Sequence, residues 1–182
     1  MIIRKTKLEG ACLIDIEKRE DERGFFARYY CKEEFMANNL ESDWAQINNS
    51  LSVNKGTLRG LHFQQSPHSE TKLIRCLRGS IWDVIVDVRL NSKTYGNWFA
   101  AELNAENRTM MYVPKGFAHG FISLANDTEI LYMVSDAYNP NFERTLRWDD
   151  KFHDINWPIQ PIVVSDKDIS APLWDHSNAI IQ

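Results

Sequence analysis

Cysteine, positive charge and long apolar runs are all in short supply, and each shortage removes a class of protein. Cys12, Cys31 and Cys76 are odd in number and widely spaced, so they supply neither a disulfide framework nor a pair at metal-ligand spacing. They read as small hydrophobes in a reducing setting. With 21 Lys and Arg against 25 Asp and Glu, the formal charge is −4. That balance argues against nucleic acid or an anionic membrane as partner, while leaving room for a local basic pocket. No long apolar run follows Met1-Ile2-Ile3-Arg4-Lys5, so the N-terminus reads as neither signal peptide nor membrane span and the expected compartment is the cytoplasm. Linkers, repeats and low-complexity stretches are missing too, and 1–182 reads as one domain. What remains, 43% hydrophobic and 25% charged, is the composition of a globular core with a solvated surface.

Helical periodicity is also scarce, with 32–40 the best short helix. Strand signals take its place. Ile81-Trp82-Asp83-Val84-Ile85-Val86-Asp87-Val88 is rich in β-branched and aromatic residues. Trp82, Val84, Val86 and Val88 form one apolar face, and Ile81, Asp83, Ile85 and Asp87 the other. Two aspartates on a central strand need partners or water, and a polar pocket would explain both. Further strands are predicted at 73–77, 97–103, 109–113, 120–124 and 129–135, separated by turns such as Arg78-Gly79-Ser80 and Pro114-Lys115-Gly116. Many short strands at this spacing predict a β-sandwich or barrel. The prolines and irregular pattern after Trp148-Asp149-Asp150 predict a segment that wraps the β-core.

Chemistry concentrates in Gly56-Thr57-Leu58-Arg59-Gly60-Leu61-His62-Phe63-Gln64, a strand entered through a glycine turn. Strict alternation puts Arg59 with Leu61 on one face and Gly60, His62 and Gln64 on the other. The histidine is either a candidate base in an anion pocket or a hydrogen-bonded core residue with Arg59 on a rim. Lys72 shares a face with Ile74 and Cys76, as a functional cation or as a snorkelling edge residue. His119 lies in the apolar stretch Phe117-Ala118-His119-Gly120-Phe121, and Tyr132 and Tyr138 flank Ser135-Asp136. A metal-binding β-barrel of the cupin type would carry His-x-His where this chain has His62-Phe63-Gln64. Arg59 and Lys72 would add positive charge where a cation must sit, which disfavours metal.

The residues above resemble the dTDP-4-dehydrorhamnose 3,5-epimerase family of nucleotide-sugar epimerases. The resemblance runs through Asp21-Glu22-Arg23-Gly24-Phe25-Phe26, Gln46-Ile47-Asn48-Asn49-Ser50, the 56–64 stretch, Gly79-Ser80-Ile81-Trp82-Asp83-Val84, Asp87-Val88-Arg89 and the segment from Pro114 to Phe121. It ends on Glu143, Trp148-Asp149-Asp150 and Ser165-Asp166-Lys167-Asp168. It implies an all-β, cupin-type double-stranded β-helix (jelly roll) with a few short helices, acting as a homodimer without metal or cofactor on a nucleotide-diphosphate sugar. His62 would be the base, oriented by Asp168. Tyr132 would be the acid on the opposite face of a 4-keto sugar, Lys72 would sit near the ketone, and Asp83 joins the catalytic set. Arg23, Phe26, Arg28, Gln46, Asn48, Arg59, His119, Tyr138, Glu143 and Lys167 fall where the family holds substrate.

The chemistry fits those residue types. A neutral imidazole titrates near physiological pH and can take a proton alpha to a ketone. A lysine cation can stabilise the enolate that forms, a phenol can return a proton from the other side, and arginine can pair with diphosphate oxygens. Two departures bear on the nucleotide. The family commonly has glutamate two residues after the phenylalanine, where this chain has Arg28, and the 48–56 connection is one residue longer than in many members. The expectation is epimerisation of dTDP-4-dehydro-6-deoxy-D-glucose at C3 and C5, toward L-rhamnose and surface polysaccharide. The alternatives are a C3-only or C5-only epimerase on a dTDP- or CDP-linked 4-keto hexulose, a metal-dependent cupin enzyme, or a non-catalytic sugar-nucleotide binding protein.

Overall fold

In the computed structural model, which describes residues 1–175, the alternating strands form two facing sheets. Among the described residues there are fourteen strands: β1 (Ile2–Lys5), β2 (Cys12–Asp15), β3 (Arg19–Asp21), β4 (Gly24–Phe26), β5 (Gln46–Ser52), β6 (Thr57–Gln64), β7 (Lys72–Arg78), β8 (Ser80–Asp87), β9 (Trp98–Asn104), β10 (Met110–Val113), β11 (Phe117–Ser123), β12 (Thr128–Val134), β13 (Glu143–Thr145) and β14 (Val163–Val164). Two short helices join them, α1 (Lys32–Ala37) and α2 (Asp166–Ile169). One sheet runs β1-β2-β10-β7-β12-β5. The other runs β13-β6-β11-β8-β9, with β14 against β6. From β5 to β8 and again from β9 to β13, the chain changes sheet at every connection. That winding is the cupin-type jelly roll.

The pairings are antiparallel, apart from the two-residue parallel contact of β14 with β6. The predicted strands all occur, with ends displaced by at most three residues; β11 begins at Phe117 rather than at 120. Helix α1 stops at Ala37 instead of reaching 40, because Asn39 takes a left-handed conformation (φ 57°). The remaining strands are too short or too polar to announce themselves by alternation.

Burial on both faces explains the near-continuous apolar run of β8. Ile81 and Ile85 enter the inter-sheet core with Leu13, Ile74, Cys76, Met111 and Ile130. Val84, Val86 and Val88 point outward, yet are buried beneath Trp148, Ile155, Trp157 and Trp174 of the C-terminal segment, which does wrap the core. Each such side chain contributes about 1.5–3 kcal/mol on burial. A third cluster covers the outside of the other sheet, where Phe35 of α1 packs over Ile14, Leu73 and Met110. Tyr30 meets Phe35 edge-on at 5.0 Å between ring centroids, a favoured aromatic geometry.

All three cysteines are free. Burial pushes the Cys12 thiol up to about 12 and that of Cys76 up to about 11, so both stay protonated and act as hydrophobes. Among the described residues, no helix is long and apolar enough to cross a membrane.

Candidate active site

The inter-sheet space is apolar at one end and polar at the other. At the polar end, His62 and Arg59 share one cavity wall, against the strict alternation read from sequence. The reason is a slip in register. His119 of β11 pairs with His62 of β6, but Phe121 pairs with Arg59, so three steps on β6 answer two on β11. An extra residue of this kind reverses which way the following side chains point. Arg59 therefore parts from Leu61, which faces the outer cluster. Glycine makes the slip possible. Gly60 has φ +120°, and a Cβ there would lie 2.5 Å from Gly120 Cα and 2.8 Å from the His119 carbonyl oxygen. Only hydrogen fits at either position.

Two histidine–carboxylate pairs line this wall. His62 Nε2 lies 2.6 Å from Asp168 Oδ1, and the other carboxylate oxygen accepts the Gly60 backbone N–H at 3.3 Å. Burial pushes the Asp168 carboxyl up, but the hydrogen bonds from His62, Gly60 and Ser165 and the charge of His62 outweigh it and hold the group below the usual carboxylate range. An ionised Asp168 accepts from Nε2–H, which leaves Nδ1 as the basic nitrogen of a neutral ring. The second pair joins His119 Nε2 to Asp83 Oδ1 at 2.7 Å. Asp83 is fully buried, and its Oδ2 has no hydrogen-bond partner.

Asp168 arrives from far along the chain. The β14 contact lays Val163 and Val164 beside Thr57 and Leu58, and Ser165 caps α2 by accepting the Asp168 N–H at 3.2 Å. This Ser-x-x-Asp pattern is a local start signal for a helix. It turns Asp168 inward while Lys167 stays half-exposed.

The facing wall belongs to the other sheet. Gln46, Asn48 and Ser50 sit on one face of β5, and Asn48 pairs with Tyr132 of β12. Burial pushes the Tyr132 phenol up, with Arg59 pulling against it and Glu70 adding to it. Among the described residues its hydroxyl makes no hydrogen bond, so it is open to the cavity. Lys72 of β7 donates to the His62 carbonyl oxygen at 3.0 Å and pairs with Glu70 at 3.0 Å. His62, Lys72 and Tyr132 border both lobes of the cavity, of about 380 and 350 Å³. One lobe adds Arg59, His119 and Ser165; the other adds Gln46, Asn48, Gln64, Tyr138 and Glu143.

Arg59 donates to Ser52 Oγ at 3.3 Å and to the Leu51 carbonyl oxygen at 3.1 Å. No carboxylate among the described residues pairs with it, so its charge is available to an anion. At the rim, Glu143 accepts from Tyr138 at 2.8 Å and pairs with Lys167 at 2.6 Å. Burial raises its carboxyl, but those two partners and the charge of His62 bring it below the usual range.

Of the residues singled out in sequence, His62, Lys72, Tyr132, Asp168, Arg59, His119, Gln46, Asn48, Tyr138 and Glu143 border this cavity. Asp83 and Lys167 touch it through His119 and Glu143. Arg23, Phe26 and Arg28 do not join them. Arg23 pairs with Asp21 on the β3–β4 hairpin and is 90% exposed, Phe26 is 61% exposed, and Arg28 meets Glu34 at 3.8 Å. The hairpin pairs with neither main sheet, so nothing folds it toward the cavity of its own chain. Ser50, Gln64, Glu70 and Ser165 also border or cap the site, and none carried a site role in sequence. Ser50 and Glu70 were legible by alternation from Asn48 and Lys72, whereas Gln64 shares the face of His62. Among the described residues, no three His, Cys, Asp or Glu side chains are placed to hold a metal ion.

Comparison with known proteins points to one family. The family model described as dTDP-4-dehydrorhamnose 3,5-epimerase matches residues 5–176. A protein of that name from Sinorhizobium fredii strain NGR234 is 47% identical over 173 residues, covering 94% of this chain and 89% of its own. The crystal structure of dTDP-4-dehydrorhamnose 3,5-epimerase from Elizabethkingia anophelis NUHP1 superposes with a TM-score of 0.94 at 39% identity, over 98% of both chains. The dTDP-6-deoxy-D-glucose-3,5-epimerase of Legionella pneumophila, solved in complex with dTDP-4-keto-L-rhamnose, gives 0.92 at 34% identity, over 100% of this chain and 98% of the other.

Proposed function

The chain belongs to the dTDP-4-dehydrorhamnose 3,5-epimerase family, and from that premise we propose how its own residues carry out the reaction. The substrate is dTDP-4-dehydro-6-deoxy-D-glucose, and inversion at C3 and C5 gives dTDP-4-dehydro-L-rhamnose. Both carbons flank the C4 ketone, so each proton is acidified by the enolate its loss creates. Removing and returning protons changes no oxidation state, and the reaction calls for no redox cofactor.

The observation that carries this reading is the opposition of His62 and Tyr132. They project from different sheets into one cavity, with Lys72 beside both. Inversion requires a proton to leave one face of the sugar and another to arrive on the opposite face, which two facing walls supply. His62 takes the proton, and Asp168 stabilises the imidazolium that results. Lys72 meets the C4 oxygen as negative charge develops there, an interaction strengthened by the low-dielectric surroundings. Tyr132, a phenol already protonated at neutral pH and pushed further up by burial, returns a proton from the other wall. The unpaired Arg59 guanidinium, with His119 beside it, suits the diphosphate. A pure binding protein would have no use for this acid–base opposition.

Arg23 and Phe26 of the hairpin, with Arg28 just beyond it, fit the same reading in a homodimer, where a second copy would offer them a cavity that their own chain does not. Exposed Ile2, Ile47 and Leu51 are apolar surface that such a copy would cover.

Proton NMR in deuterium oxide with dTDP-4-dehydro-6-deoxy-D-glucose tests the proposal. Loss of both the C3 and C5 proton signals, with product of the L-rhamno configuration, is the expected result. Exchange at one carbon alone would replace it with a single-centre epimerase. No exchange despite tight dTDP binding would reject catalysis on this sugar.

A further inference from the structure

We propose that Glu70 is a positioning residue which aims the Lys72 ammonium at the substrate ketone; the inference rests on the role given above to Lys72. An ammonium has three N–H donors. The His62 carbonyl oxygen takes one at 3.0 Å and Glu70 Oε1 another at 3.0 Å. Two fixed bonds leave a single donor whose direction is set, and Lys72 borders both lobes of the cavity. Without Glu70, the long lysine side chain would pivot about one remaining bond and spread its charge over many orientations.

Several features distinguish this pair from an ordinary stabilising ion pair. Both side chains are nearly buried, 11% exposed for Lys72 and 6% for Glu70, and removing two charges from water costs more than their attraction readily returns. The second carboxylate oxygen of Glu70 is buried without a hydrogen-bond partner, so the pair is not optimised for stability. Its backbone is firmly held instead. Thr71, between the two, donates its N–H to Ser135 Oγ at 2.8 Å and accepts the Ser135 N–H at 3.0 Å. Glu70 and Lys72 thereby stand on one side of a fixed strand entry.

Two variants separate reach from charge. Glu70→Gln keeps an oxygen at the same distance and loses the charge, while Glu70→Asp keeps the charge and withdraws it by one methylene. The expected result is kcat near that of the parent for Glu70→Gln and a fall on the order of 30- to 100-fold for Glu70→Asp, as for a catalytic group displaced by about 1 Å. KM and dTDP affinity should stay within about threefold in both, since the group lost acts on orientation in the reacting state. Adding Glu70→Asp to a Lys72→Met enzyme should cost nothing further, because the two act as one unit. Equal losses in the two variants, a poorer Glu70→Gln than Glu70→Asp, or multiplying losses with Lys72→Met would each overturn the proposal. Crystal structures of both variants read it without turnover. Lys72 Nζ should keep one position, held by both the His62 carbonyl and the side chain at position 70, in Glu70→Gln; in Glu70→Asp it should keep only one of those two bonds and occupy more than one position, and an Nζ held as in the parent would also overturn it. Absence of exchange by the parent chain would instead reject the epimerase reading.

Discussion

Replacing Asp168 by Asn changes one atom and should stop the enzyme. Asp168 now accepts twice, from His62 Nε2 at 2.6 Å and from the Gly60 N–H at 3.3 Å. An amide has one oxygen and one NH₂, so it cannot accept at both places. The Gly60 N–H is fixed on the backbone and cannot turn away, which steers the amide oxygen toward it and the NH₂ toward His62. Nε2 must then accept, and the ring proton moves to Nδ1, the nitrogen required as base. The ring also loses the negative charge that stabilises its imidazolium. General-base catalysis contributes about 10²- to 10⁴-fold, and the variant forfeits most of it, so kcat should fall by about 10³-fold, or roughly 4 kcal/mol at 1.36 kcal/mol per decade. Solvent-deuterium exchange at C3 and C5, followed by NMR, reads the abstraction step directly. dTDP affinity measured by calorimetry should change by less than about threefold, since the change leaves Arg59 alone. Exchange within threefold of the parent would refute the reasoning, since either Asp168 does not set the His62 tautomer or His62 is not the base.

Tyr132→Phe should slow inversion far more than loss of the first proton, because abstraction at His62 precedes donation from the opposite wall; equal slowing of exchange and inversion would refute that order. Gly60→Ala places a Cβ at 2.5 Å from Gly120 Cα with φ +120°, a backbone cost of about 1–3 kcal/mol before any clash. A thermal scan should show Tm lowered by about 5 °C or more, at about 2–4 °C per kcal/mol in a chain this size, and an unchanged Tm would reject the close-packed register slip. Asp87 is a test of acid sensitivity. Burial raises its carboxyl, but Arg89, Ser92 and Thr94 outweigh that and hold it below the ordinary 3.8. Its stabilisation is therefore present above the unfolded value and lost as pH falls through the folded one. Asp87→Asn should unfold at lower urea than the parent at pH 7, with the two midpoints converging below about pH 4; a constant gap across that range would contradict the assignment.

How much of this was legible beforehand follows from the range over which each feature is determined. Period-two alternation is local, so β7, β8, β11 and β12 could be read directly, as could the shared face of Lys72 with Ile74 and Cys76 and of Asp83 with Ile81 and Ile85; which face turns toward the other sheet was not. The Gly-rich 56–64 stretch, and the family motifs around it, pointed to the chemistry because a base, a cation and an acid each demand particular side chains. Cysteine spacing argued against a disulfide framework in the same way, and Cys12, Cys31 and Cys76 are free.

Features that join distant parts of the chain had no local signature. Arg59 and His62 share a wall only because β6 slips by one residue where Gly60 meets Gly120, and alternation within β6 alone gives the opposite answer. Asp168 reaches His62 across 106 positions through a two-residue parallel contact too short to leave a periodic trace. The displacement of Arg23, Phe26 and Arg28 from the cavity depends on a hairpin that joins neither main sheet. The sequence by itself determined which residues could do chemistry and which strands carry them, because side-chain identity and alternation are properties of neighbours along the chain. Only the tertiary structure decided which of those residues face each other, because sheet order, register and chain return are settled by packing between segments far apart in sequence.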